Sequence, residues 1–219
     1  MALLGLALVA LSGDWSPAVT PEVAQMRLWI AARAAGVVSL LLLTGLTVLG
    51  IVISHPLNKT DWKASKHVFP WHKHLALFTL SFIGVHIATL VADPYAGVGL
   101  GGAFVPGLSG YRTWPVAVGT VGLYALLITG ITARFTGLLG KGRWLTIHRI
   151  ALSAFVMAWG HGVAAGTDTA ALLPVYAATG ATVLVFAASR YWNPLMRPRR
   201  GEPEPERFLA PRIRFDLWR

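Results

Sequence analysis

Residues Trp71–Ala92, WHKHLALFTLSFIGVHIATLVA, constrain the chain more than any other stretch. From Leu75 the run is apolar and long enough to cross a bilayer, whose hydrocarbon core of about 30 Å takes about 20 helical residues. Yet it contains His86, with no neighbouring charge to account for it. His72 stands fourteen residues earlier. On a helix those two imidazoles lie about 40° apart around the axis and about 21 Å apart along it. One ring then sits near each edge of a membrane, on roughly one face. Thr146–Ala165 repeats the arrangement with His148 and His161, thirteen apart.

Composition places these stretches in a membrane. Of 219 residues, 55 % are hydrophobic and only 13 % charged, too few charges for a water-facing surface of this size. Cysteine is absent, which excludes iron–sulfur clusters, thiolate-ligated haem and covalent c-type haem. A net charge of +10 raises nucleic acid as a partner. The basic residues, however, fall in alternate loops and in the tail, the pattern of membrane topology, and no nucleic acid is expected.

The expected fold is an all-α, polytopic membrane helix bundle of about five transmembrane helices. Met1–Leu11 is apolar but too short to span. It reads as a signal, an interfacial segment or the stump of a truncated sixth helix, and residues 1–27 form an N-terminal segment on their own. The bundle occupies residues 28–190. Its spans are Leu28–Ile53, Trp71–Ala92, Pro115–Ala133, Thr146–Ala165 and Ala170–Ser189. Ser54–Pro70 is expected as a loop, and the glycine-rich stretch GVGLGGAFVPGLSG as a non-helical connection. Residues 191–219 form a basic, proline-rich tail, expected to be extended or disordered.

Lysine and arginine set the orientation. One side receives Lys59, Lys63, Lys66, Lys73, Arg134, Lys141, Arg143 and the arginines of the tail, whereas the other receives Arg27 and Arg112. The basic side is expected to be cytoplasmic, with the N-terminus outside and the C-terminus inside a multi-pass protein of the cell membrane.

The two histidine-bearing helices then run parallel. Pairing by depth gives an inner site, His72 with His148, and an outer site, His86 with His161. Neutral imidazole suits haem iron, and two axial imidazoles leave no open position, so such iron carries electrons rather than binding substrate. Two non-covalent haems b are the expected cofactors, with these four histidines as metal ligands. A lone intramembrane histidine is ordinarily a structural group hydrogen-bonded across helices. Four in two depth-matched pairs are poorly explained that way, because ionisable groups inside a bilayer are functional by default. The thirteen-residue spacing leaves His148 and His161 about 140° apart on a straight helix. Tilt, or an irregularity near Gly160–Gly162, must compensate. His74 competes with His72 but lies about 120° off the face of His86. His55 and His67 read as surface or interfacial groups. Arg33, inside the outer part of the first helix, is expected either to bind a propionate of the outer haem or to snorkel to the interface. Phe78, Phe82 and Phe155 read as core packing.

The two spacings, with the HRIAL and HGVAAGTD contexts and the helix between, resemble the ferric reductase-like transmembrane domain. That family includes ferric reductases, the membrane part of NADPH oxidases and the haem subunit of periplasmic methionine-sulfoxide reductase systems. The resemblance covers about residues 28–190. It implies haem b ligation by His72, His86, His148 and His161 and electron transfer across the membrane. The family usually has six helices, with its ligands on the third and fifth, and here they fall on the second and fourth. The tail has no Gly-x-Gly-x-x-Gly, so the flavin and nicotinamide domains of the full-length reductases are expected to be absent.

The chain is thus expected to be an oxidoreductase component without its own flavin domain. Its donor is a separate flavoprotein reductase or a membrane quinol, and its acceptor is external ferric iron or a periplasmic redox protein. A quinol-linked cytochrome b is the alternative, with Tyr111, Arg112 and Thr113 as weak quinone-site candidates. A metal permease is disfavoured, because the spans carry no carboxylates in their interiors.

Overall fold

The structure, a computed structural model, describes residues 26–58, 64–139 and 141–192. Met1–Leu11, the segment 59–63 and the tail from residue 193 lie outside the described residues. Those described form eight helices and no strand: α1 Arg27–Ser54, α2 Ser65–Ala92, α3 Gly99–Phe104, α4 Thr113–Arg134, α5 Thr136–Leu139, α6 Lys141–His148, α7 Ile150–Ala165 and α8 Leu173–Tyr191. Four of them, α1, α2, α4 and α8, are long and apolar enough to cross a membrane.

The remaining expected span is divided at Arg149. The 16 residues of α7 fall short of a span alone. Arg149 keeps helical dihedrals (φ −65°, ψ −21°), and the Leu152 amide donates to the Arg149 carbonyl three residues back, so a tightened turn joins α6 to α7. The irregularity therefore sits beside His148. Gly160 and Gly162, where the spacing argument looked for it, lie inside unbroken helix.

Two connections are more helical than their composition suggests. α2 starts at Ser65, ahead of Pro70. Asn58 accounts for the early start: its Oδ1 accepts the amides of Ala64 and Ser65 at 2.7 and 3.1 Å, serving donors that a helix start leaves unpaired. The glycine-rich stretch also contains helix, α3. Val98 and Ala103 are buried against Trp29, and the Thr120 hydroxyl donates to the Ala103 carbonyl, so burial outweighs weak helix propensity. Glycine is required at 102 by close approach, since a Cβ there would lie 2.8 Å from the Ser109 Cα. α8 starts three residues later than expected, with Pro174 in the first turn where its missing N–H costs nothing.

Helices α1 and α2 form one closely packed antiparallel hairpin, α4 and α7 another, and α1 also packs on α7 and α8. Leu43, Leu46, Ala154, Phe155, Tyr176 and Val183 are buried at the heart of this packing. α2 and α7 are not among the closely packed pairs, and a cavity lies between them at His86 and His161. Leu77, Ile128, Ile131, Val156, Leu184 and Val185 point outward, as expected of surfaces facing lipid. Phe78 joins them, whereas Phe155 is core. Inside, Ser39, Thr44, Thr79 and Thr89 return their hydroxyls to the carbonyl four residues earlier, which satisfies them without water.

Two glycines of α4 separate packing from propensity. A Cβ at Gly122 would meet Met157 Cβ at 3.1 Å and the α7 backbone just beyond, whereas one at Gly130 meets nothing within 4 Å. Gly122→Leu should destabilise the detergent-solubilised protein by about 1–3 kcal/mol through overpacking. Gly130→Ala should leave it unchanged or up to about 1 kcal/mol more stable. Thermal unfolding of both variants checks the pair.

Candidate functional site

The four predicted histidines come together in two pairs, by depth. The ring centres of His72 and His148 lie 6.3 Å apart, and those of His86 and His161 lie 6.4 Å apart. Each pair is contributed by α2 on one side and by α6 or α7 on the other. His74 is turned away: it is exposed, and its Nδ1 meets the Pro70 carbonyl of its own helix at 2.7 Å. Of the two residues the spacing left in competition, His72 is the one in the pair.

Backbone carbonyls orient three of the four rings. His86 Nδ1 meets the Ala32 carbonyl at 2.7 Å, His161 Nδ1 the Pro115 carbonyl at 2.8 Å, and His72 Nδ1 the Leu46 carbonyl at 3.2 Å. A carbonyl only accepts, so each of these Nδ1 atoms carries the proton and each Nε2 keeps its lone pair. Metal-binding histidines are held in this way, the second ring nitrogen bonded to a carbonyl that fixes tautomer and orientation.

Glycine makes the approach possible. The residue four positions after each accepting carbonyl is Gly36, Gly119 or Gly50. A Cβ at Gly36 would stand 3.1 Å from His86 Nδ1, one at Gly119 2.6 Å from His161 Nδ1, and one at Gly50 3.3 Å from the His72 ring. Each ring therefore lies over a glycine and shares a carbonyl that the helix already uses. Sequence reasoning passed over these glycines. The signal was present, since Gly36 and Gly50 are fourteen apart, as are His72 and His86, and an antiparallel hairpin superimposes the two spacings.

His148 is the exception. The backbone of Thr129 is close enough to act on its ring, but its Nδ1 is buried with no hydrogen-bond partner. Four residues beyond Thr129 stands Ala133. The ring is instead stacked on Trp144, centres 5.3 Å apart and planes 29° apart.

A cavity of about 740 Å³ surrounds the outer pair, lined among others by Trp29, Gly36, His86, Gly119, Ala158 and His161. This is within the range of cofactor sites, about 300–1,000 Å³. Arg33 and Asp168 also line it, and they form an ion pair. Asp168, from the turn after α7, thus stands where Arg33 was expected to meet a propionate or the interface. Tyr111 donates its hydroxyl to the Ala165 carbonyl, and Arg112 donates to those of Ala164 and Gly166, so both finish the C-terminal end of α7. His55, expected at the surface, is buried: its Nε2 lies 3.3 Å from the Ser189 carbonyl of α8, and its Nδ1 accepts the Leu57 amide. His67 is exposed, as are Lys66 and Arg149.

The donor set fits haem. Two metal–imidazole bonds of about 2 Å, and about 1 Å from each nitrogen to its ring centre, add to about 6 Å, close to both observed separations. Among the described residues no group of three or more His, Cys, Asp or Glu gathers to hold a metal ion. A porphyrin iron needs only two protein ligands, and the apolar gap between the hairpins suits a flat macrocycle.

The Arg33–Asp168 pair is partly exposed, at 34 and 40 %, so solvent screening weakens it. Arg33→Gln and Asp168→Asn should each lower stability by no more than about 1 kcal/mol, and the double variant should lose little beyond either single one. Thermal unfolding of the three proteins measures this. The chain matches no protein-family model, no curated protein and no solved structure, and the two facing imidazole pairs carry the functional reading.

Proposed function

We propose that this chain is the membrane haem subunit of a redox system, similar to the ferric reductase-like domains. It would bind one haem b between His72 and His148 and a second between His86 and His161, and pass electrons across the bilayer. The observation that carries the reading is the pair of ring separations, 6.3 and 6.4 Å, each with room for one iron between two imidazoles. When bound, the haem irons supply one-electron oxidation and reduction without an open coordination position.

The chain's own residues do the rest. Ala32, Leu46 and Pro115 hold three ligands in the tautomer that presents Nε2. Apolar side chains of α1, α2, α4 and α7 exclude water from the outer site. Fourteen residues of α2 put the two sites about 21 Å apart along the helix axis, a large part of the hydrocarbon thickness of about 30 Å. In this reading the basic side is cytoplasmic. A separate flavoprotein reductase or a membrane quinol is the donor, and external ferric iron or a periplasmic redox protein the acceptor. The quinol reading draws little from the outer loop, because the hydroxyls of Tyr111 and Thr113 and one guanidinium nitrogen of Arg112 are already donated to carbonyls.

Three experiments test the reading. The purified protein should contain two non-covalent haems b with low-spin, bis-imidazole spectra in both oxidation states. His86→Ala and His161→Ala should share one defect and His72→Ala and His148→Ala another, each pair losing one haem. A colourless protein from haem-replete cells refutes it, and a haem lost on His74→Ala but kept on His72→Ala refutes the ligand assignment. Reporter fusions should place Gly101 and Asp168 outside and Lys141 inside. An inverted result would reverse the direction of electron flow.

A further inference from the structure

The two centres are not built alike, and the difference traces to register. On α1 the seats Ala32/Gly36 and Leu46/Gly50 repeat after fourteen residues, matching the fourteen between His72 and His86 on α2. On α4 the seat Pro115/Gly119 repeats after fourteen residues at Thr129/Ala133, but His148 and His161 are only thirteen apart. With His161 seated, a continuous helix would leave His148 one residue out of register with its seat; the Thr129 backbone still lies close to the ring, but Nδ1 makes no hydrogen bond to it. The chain takes up the mismatch at Arg149, where α6 and α7 part. Two results are visible. His148 Nδ1 is buried without a partner, and Trp144, one turn earlier on α6, lies flat against the ring with its own Nε1 buried and unpartnered.

We propose that Trp144 is the positioning residue of the inner centre. It orients His148 by stacking, in place of the carbonyl that orients the other three ligands, and leaves His148 the one axial ligand that exchanges with an added small ligand. A stacked ring resists tilting but slides and turns in its own plane, whereas a carbonyl-bonded ring over a glycine has both motions blocked. The proposal rests on the haem reading. The added ligand is of the carbon monoxide class, a neutral diatomic that enters an apolar site and binds ferrous iron by coordination alone, with no change in electron count.

The test is a carbon monoxide titration of the dithionite-reduced holoprotein, after a haem count. A protein without haem overturns the functional reading and this inference with it. With two haems present, carbon monoxide should bind one of them. Binding should persist in His86→Ala/His161→Ala, which keeps the inner site, and vanish in His72→Ala/His148→Ala, which keeps the outer. Trp144→Leu should raise the affinity for carbon monoxide about threefold to tenfold, the factor that an aromatic pair contributes. Trp144→Phe, which retains a stacking ring, should stay near wild type. Gly119→Ala supplies an independent variant: by pushing His161 off the Pro115 carbonyl it should create carbon monoxide binding at the outer site. Binding confined to the outer haem of the unmodified protein overturns the proposal, as does binding to neither haem or equal behaviour of Trp144→Leu and Trp144→Phe.

Discussion

An imidazole in hydrocarbon has two polar nitrogens and no water to satisfy them. Leaving such a group unpaired costs about 1–3 kcal/mol or more. This constraint organises the molecule. The only abundant acceptors inside a helix bundle are backbone carbonyls, and each already receives an amide from four residues on. A carbonyl has a second lone pair, but the side chain one turn later stands in the way of a ring that would use it. Where that residue is glycine, as at 36, 50 and 119, the ring of His86, His72 or His161 reaches the oxygen. The same contact places the ring proton on Nδ1 and leaves Nε2 its lone pair, so the interaction that makes these histidines tolerable in the interior also fixes which nitrogen stays free.

The hairpins follow from this. α1 carries carbonyls and glycines for His72 and His86 of α2, and α4 does so for His161 of α7. Each of these histidine-bearing helices is therefore packed against a support helix, and α2 and α7 are not closely packed on one another. Between them lies the cavity lined by His86 and His161. The outer ends are tied across it by Arg33 with Asp168 and by Arg112 on the last carbonyls of α7. Buried Trp29 closes the same end against Tyr95 and Tyr111, at ring separations of 6.0 and 5.3 Å.

Much of this was legible in the sequence. Apolar runs of span length reveal a helix bundle because the bilayer sets a length and forbids unpaired backbone. Histidine spacing revealed depth, since rise per residue is constant along a helix, and depth alone paired His72 with His148 and His86 with His161. Boundaries were less legible. Pro70 and the glycines around residue 101 read locally as breakers, and long-range contacts overrode them, Asn58 capping α2 and Trp29 burying Val98 and Ala103.

What the sequence by itself determined is therefore composition, span length and the depth of each histidine, all properties of one helix at a time. The tertiary structure decided what depends on two helices at once. It chose His72 over His74 by the face that α2 turns to α1, and gave Arg33 the carboxylate of Asp168, distant in sequence. It buried His55 between the ends of α1 and α8. It also resolved the thirteen-residue spacing by breaking the helix at Arg149 and leaving His148 on Trp144. The angle between two residues on one helix is arithmetic, but the carbonyl each ring can reach depends on the register of the neighbouring helix, which packing sets.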